Sequence, residues 1–168
     1  MDAPHDPVVR PARPGDGAAL GRIWLENARY YVDRFPDDFR LPAEDGLAER
    51  FERPVDGDAA LLVAEVGGRV AAYAYVRLSP PEPDAAYQYL APYAETRAHV
   101  EALGTGDAFQ RRGLATRLVE ACERWARERG ATRISATTYA ASEVSIPFWE
   151  ERMGYGRRGI TFVKRLEA

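Results

Sequence analysis

Apolar and polar positions follow two rhythms along this chain. Ala19, Leu20, Ile23, Trp24 and Tyr30 recur at helical spacing. They predict a helix through about Tyr31, with Asp16 placed after the Pro14-Gly15 turn to cap it. Leu114, Leu118, Cys122 and Trp125 stand at i, i+4, i+8 and i+11. That is a core-facing stripe over Leu114–Arg129, stopped by Gly130. Leu47 and Phe51 mark a helix over Ala43–Phe51, and Val144–Met153 reads as a short one closed by Gly154. Strand-like runs are Val8–Ala12, Ala59–Val66, Val70–Leu78, Arg97–Thr105, Arg133–Tyr139 and Gly159–Leu166. Gly67-Gly68 between two of them signals a hairpin. Residues 79–95 open with Pro80, Pro81 and Pro83 and break both rhythms. They read as an excursion that serves as a lid, a dimer contact or a plain loop. The order β-α-α-β-β-β-α-β-α-β is mixed α/β, one domain over residues 1–168 with its core at about 8–166.

Composition narrows the class. A chain of 168 residues buries enough surface to need neither a metal nor a disulfide, and its one Cys forms no intrachain pair. Cys122 lies on the apolar stripe and reads as a buried structural thiol. No uncharged apolar run approaches the ~20 residues of a membrane span, and MDAPHDPVVR, with two acids and no apolar run, is not expected to act as a signal peptide. A soluble, cytoplasmic protein without membrane contact is expected. Net charge −3 argues against general nucleic-acid binding. The charge is uneven: residues 1–106 carry 11 Arg against 18 acids, and residues 107–168 carry 12 Lys+Arg against 8 acids. A basic part suits an anion and an acidic part a cation, although chance variation on solvated faces is an equal reading.

Candidate chemistry gathers at Glu101–Thr116, EALGTGDAFQRRGLAT. A strand ends, a basic loop follows, and Gly113 opens a helix whose first-turn N–H groups lack intrahelical partners. Those groups and the helix dipole form an anion site. Small Gly113 and Ala115 let a phosphate approach closely, and Arg111 and Arg112 add charge. Neither the GxxxxGK[ST] loop nor a GxGxxG turn after a strand is present, which weakens a nucleotide-binding reading.

The run Gln110-Arg111-Arg112-Gly113-Leu114-Ala115 resembles the Q/R-x-x-G-x-G/A signature of the Gcn5-related N-acetyltransferases, the GNAT family. Glu101–Thr105 sits where that family has its bulged fourth strand. Ser142-x-x-Ser145-x-x-Phe148-Trp149-Glu150-Glu151-Arg152-Met153-Gly154-Tyr155 is similar to its N-x-x-A-x-x-F-Y-x-x-x-G-F segment. The resemblance spans about Val8 to Leu166. It implies a mixed, mostly antiparallel sheet with splayed fourth and fifth strands and flanking helices. It further implies acetyl-CoA as co-substrate, with no metal, and an amine acceptor: a small molecule or an exposed amino group. A homodimer is a further expectation, since similar proteins are often dimers.

By that resemblance pantetheine bonds the backbone of Leu103 and Thr105. The pyrophosphate rests on the amides of Arg111, Arg112, Gly113, Leu114, Ala115 and Thr116, beside Gln110. Direct transfer needs a base for the ammonium and a donor for the oxyanion. Glu101 is the first candidate base and His99, two residues earlier on the same strand face, the second; His5 is set aside. The amide of Gly104 is the candidate oxyanion donor. Trp149 replaces the Tyr that usually acts as general acid, and indole offers no acidic proton. Trp149 then packs beside the cofactor or in the core, and Tyr139 or water takes its place unless the thiolate leaves unprotonated. Ser142 replaces an Asn, which shortens or removes a cofactor contact. The aromatics Trp24, Tyr30, Tyr31, Phe35 and Phe39 are core or a wall of the acceptor site. A non-catalytic acyl-CoA sensor of the same fold is the rival reading, favoured by Trp149.

Overall fold

A computed structural model describes residues 6–164, in two compact units that divide between Thr137 and Thr138. The first holds one five-stranded sheet in the order β1-β2-β3-β4-β5: Val8–Pro11, Ala59–Val66, Arg69–Ser79, Arg97–Thr105 and Arg133–Ala136. Strands β1 to β4 pair antiparallel, and β5 joins β4 in parallel after the helix α3, Leu114–Glu128. The β2–β3 turn works because Gly67 and Gly68 both take positive φ, 55° and 75°, as a two-residue hairpin of this hand requires.

Helix α1, Gly17–Arg34, covers one face of the sheet. Its Leu20 and Ile23 pack with Leu61, Val63, Val70 and Tyr73. Leu62 and Ala64, which point the other way by the two-residue period, are equally buried. That second face is covered by α3, which packs on β2, β3 and β4 through Leu114, Leu118, Val119 and Cys122. Burial pushes the Cys122 thiol up to about 12, so it stays protonated and inert, as its place on the stripe predicts.

Several predicted elements change. Asp16 does not cap α1 with its side chain. Its carboxylate accepts both Arg10 guanidinium nitrogens, at 2.7 and 3.0 Å, and the Arg13 N–H at 2.9 Å. Glu52 does the capping instead, accepting the Gly15 and Gly17 N–H groups. The helix expected over Ala43–Phe51 shrinks to α2, Leu47–Phe51, because left-handed Gly46 (φ 72°) blocks helix before it. Strand β5 ends at Ala136, three residues before Tyr139. The excursion forms 3-10 turns at Ala85–Tyr87 and Ala91–Ala94, pinned where Arg97 bonds Glu82 and the Pro92 carbonyl.

In the second unit the expected helix Val144–Met153 becomes one α-turn, α4, Ser145–Pro147, followed by a π-helical turn, Phe148–Arg152. Pro147 has no N–H for an i→i−4 bond, and the Met153 N–H reaches five residues back to the Phe148 carbonyl at 3.0 Å. Of the strand expected at Gly159–Leu166, residues 159–164 form none, since no described residue pairs with them; 165 and 166 lie outside the described residues, as does His5.

Candidate active site

The register between β3 and β4 holds the first feature of the site. Tyr75 pairs with Ala102 and Val76 with Val100, so Glu101 is an extra, bulged residue in β4. The extra residue shifts the alternation by one. Ala98 and Val100 before it are buried on one face, whereas Ala102 and Gly104 after it pack beneath α1. His99, between Ala98 and Val100 and in register with Arg77, therefore lies on the α1 side of the sheet, and Glu101 is the bulged residue two positions on. His99 is half-buried and Glu101 exposed.

The second feature is an opening. Strand β5 pairs with β4 only from Arg97↔Arg133 to Val100↔Ala136. Beyond Val100, β4 runs on through Thr105 with β3 on one side and, among the described residues, no strand on the other. The bond from the Gly106 N–H to the Ala71 carbonyl, 2.9 Å, sets which amides face which way. Opposite residues alternate between bonded and non-bonded pairs, so Gly104, in register with Tyr73, turns its N–H toward β3. Leu103 and Thr105 turn theirs into the opening. The expectation that the Gly104 amide serves as oxyanion donor is thereby corrected: that amide faces the ladder, and the Leu103 amide is the one beside the bulge that faces the gap.

The third feature is the loop that follows. After the 3-10 turn Asp107–Phe109, Arg111 takes φ 63° and Gly113 φ 74°. Left-handed residues alternating with ordinary ones gather backbone N–H groups into a concave anion nest. The N-cap Gly113 offers α3 no side-chain cap, and the first intrahelical bond runs from Arg117 N–H to the Gly113 carbonyl at 3.1 Å. The amides of Leu114, Ala115 and Thr116 thus lack intrahelical partners. Arg111, Arg112 and Arg117 are exposed, and none forms an ion pair among the described residues. Gln110 directs its side-chain amide to Asp107 Oδ1 at 2.9 Å, so it braces the turn.

Several participants carried no legible signal. Arg69 from β3 and Arg112 approach the buried Phe109 ring at 5.2 and 5.5 Å, which brings a distant cation to the loop. Glu26 of α1 accepts the Asp107 N–H at 2.8 Å and pairs with Arg22, tying the helix to the loop. On the α1 side, Arg77 lies in register with His99 and bonds Asp56 and the Tyr75 hydroxyl. The Asp56 hydrogen bond raises the Arg77 pKa, which keeps it cationic. Ser135 and Thr137 approach the two His99 ring nitrogens at 2.9 and 3.5 Å. Their i, i+2 spacing on a predicted strand was the one available hint.

Tyr139, Ser142 and Trp149 belong to the second unit. The Tyr139 carbonyl accepts the Ser142 N–H at 2.9 Å, and the buried Ser142 hydroxyl accepts the Ser145 N–H at 3.1 Å. Ser142 therefore starts the α4 turn. The Trp149 ring packs between Phe148 and Tyr155, with centroids 5.1 and 5.0 Å away. The Tyr31, Phe35 and Phe39 rings cluster together, with Tyr31 and Phe39 centroids 4.9 Å apart.

A mixed sheet with a bulged, half-open fourth strand thus leads into a cationic helix start. The family model described as "Acetyltransferase (GNAT) family" matches residues 23–155, so the chain belongs to that acetyltransferase family. Solved structures agree on the fold. A protein of Bacillus halodurans solved as a tetramutant is similar with TM-score 0.79 at 18% identity, covering 95% of this chain and 99% of that one. An aminoglycoside N-acetyltransferase, AAC(6')-Iy in complex with CoA, gives 0.64 at 17%, covering 98% of each chain. A second aminoglycoside acetyltransferase, from an uncultured soil metagenomic sample and in complex with sisomicin, gives 0.60 at 15%, covering 96% and 97%. Comparison with curated protein sequences finds no match. Among the described residues no helix is long and apolar enough to cross a membrane.

Proposed function

We propose that this protein is an acetyl-CoA-dependent N-acetyltransferase that passes the acetyl group directly to a primary amine of a small molecule or exposed amino group. The observation that carries this reading is the edge of β4 away from β3, open over Glu101–Thr105 among the described residues and running into the start of α3. A pantetheine chain has the length and amide spacing to lie along that edge and bond Leu103 and Thr105 as an added strand would. Its pyrophosphate then meets the amides of Arg111 to Thr116, with Arg69, Arg112 and Arg117 around it.

The chemistry follows from that placement. The acceptor arrives as an ammonium ion, drawn to Glu101, and must lose a proton before its lone pair attacks the thioester carbon. Glu101 is the base in this reading, with His99 as second acceptor. The Leu103 N–H bonds the developing oxyanion, taking the role first given to Gly104. Collapse breaks the C–S bond, the nitrogen gives its second proton to water, and the departing thiolate takes a proton from water. Trp149 packs against aromatics and takes no part in proton transfer. With its single cysteine buried, the protein contributes no free thiol background.

The testing experiment is a thiol-release assay with acetyl-CoA over a panel of amines, including an aminoglycoside, a polyamine, an arylalkylamine, an amino acid and a peptide N-terminus, with mass spectrometry of the products. Amine-dependent release with a +42 Da product (the mass of an added acetyl group) is expected. The second reading, an acyl-CoA sensor of the same fold, is favoured by Trp149 at the position where the family places Tyr. It predicts acetyl-CoA binding with no release on any amine.

A further inference from the structure

We infer that Ser135 is a positioning residue that holds His99 as the Nδ1–H tautomer and so leaves its Nε2 lone pair to accept a proton on the α1 face of the sheet. The inference deepens the proposed acetyl transfer and rests on it for its chemical meaning. The parallel register sets His99 directly beside Ser135. Ser135 Oγ lies 2.9 Å from His99 Nδ1 and 3.3 Å from the Ala98 carbonyl oxygen. A serine hydroxyl has one proton, and a carbonyl only accepts. Both contacts are hydrogen bonds only if Ser135 donates to Ala98 and accepts from Nδ1–H. The ring then carries its lone pair on Nε2. Thr137 Oγ1 stands 3.5 Å from Nε2, the outer limit of a hydrogen bond, and an incoming amine displaces so long a contact readily.

The charges around the ring support this role. Arg77 faces it from β3 and is held by Asp56 and the Tyr75 hydroxyl. Arg97, on the same strand, is bonded to Glu82, and Arg133 on β5 to Glu95. Glu101 alone among these carboxylates and cations forms no ion pair among the described residues. A proton passing from the acceptor ammonium to Nε2 gives an imidazolium that still donates through Nδ1 to Ser135. The Glu101 carboxylate, two residues along β4, balances its charge. No other co-reactant is needed, and the amine is left neutral for attack.

The chain contains only two histidines, which makes the tautomer directly readable. In a 15N-labelled His5→Gln protein, His99 is the sole imidazole, and its long-range 1H–15N spectrum at alkaline pH distinguishes Nδ1–H from Nε2–H. The expected result is Nδ1–H, lost from the majority form in Ser135→Ala and restored in Ser135→Thr. In the thiol-release assay Ser135→Ala should lower kcat roughly five- to tenfold, the worth of one hydrogen bond, with KM for acetyl-CoA unchanged and Ser135→Thr recovering the rate. An Nε2–H ring in the parent, or a tautomer ratio unchanged by Ser135→Ala, overturns the inference. Because the spectrum is read without substrate, an absence of acetyl transfer would sink the proposed function and leave the tautomer assignment to stand or fall by itself.

Discussion

Gly104 makes a quantitative test of how closely α1 is seated on β4. A Cβ at this position would lie 2.8 Å from Tyr73 Cε1, 3.0 Å from Asn27 Nδ2 and 3.3 Å from Ile23 Cγ2. Carbon atoms rest at about 3.5–4.0 Å. The neighbours have little freedom to yield. Tyr73 is only 2% exposed and packs edge-on against Phe51, and Asn27 is tied to the Ile23 carbonyl at 2.7 Å. Overpacking of this kind costs about 1–3 kcal/mol. The φ of Gly104 is not in the left-handed region, so replacing glycine also returns about 0.4–1 kcal/mol through the unfolded chain. Gly104→Ala should therefore lose about 1–2 kcal/mol net. For a chain of this size that is a Tm lower by roughly 2–8 °C, measured by thermal and urea denaturation. The structural cause is checked in a Tyr73→Leu background, where the ring edge is gone and the same substitution should cost under about 0.5 kcal/mol. A Gly104→Ala protein as stable as the parent, or a penalty unchanged by Tyr73→Leu, would refute the reasoning.

Further predictions follow from the site and its frame. Gly113→Asp should abolish acetyl-CoA binding by calorimetry, whereas Gly113→Asn, equally tolerant of positive φ but uncharged, should retain most of it; equal affinities would remove the pyrophosphate from the α3 start. Glu101→Gln should lower kcat chiefly on the acidic side of the pH profile, where base strength limits the rate, and an unchanged profile would remove Glu101 as base. The Arg10 hydrogen bond holds the Asp16 carboxyl below its usual range. A folded pKa depressed below the unfolded one contributes stability that is present above about pH 4 and lost as pH falls through the lower folded value. Asp16→Asn should accordingly cost about 2 kcal/mol at pH 7 and flatten the acid limb of the stability curve; a parallel curve would argue against the pair.

Much of the frame was legible because single residues dictate it. Gly67-Gly68 marks the hairpin, the Leu114–Leu118–Cys122 stripe marks α3, and Arg97–Thr105 is bounded as expected. What was illegible depended on partners distant in sequence. Asp16 carries every mark of an N-cap, yet Arg10, itself held by Glu65 across the β1–β2 ladder, draws its carboxylate away and Glu52 takes over. Residues 159–164 alternate like a strand but have no described neighbour to bond. In the site, the Gly113 loop and its arginines were read from residue type alone. The one-residue bulge at Glu101 was expected only by resemblance, and the parity it imposes on Gly104 and Leu103 requires the β3 register. Arg69, Glu26 and Ser135 reach the site across strands or elements, and apart from the Ser135–Thr137 spacing their own neighbours in sequence say nothing of it.

In the proposed reading acetyl-CoA lies along the open half of β4 and ends on the α3 start. Backbone amide chemical shifts, followed while acetyl-CoA is titrated into 15N-labelled protein, test that most directly. The predicted result is saturable change greatest at Leu103, Thr105 and Arg111 to Thr116, with β1 and the β2–β3 turn little affected apart from Arg69. Saturable change centred elsewhere, or none at millimolar acetyl-CoA, would contradict it.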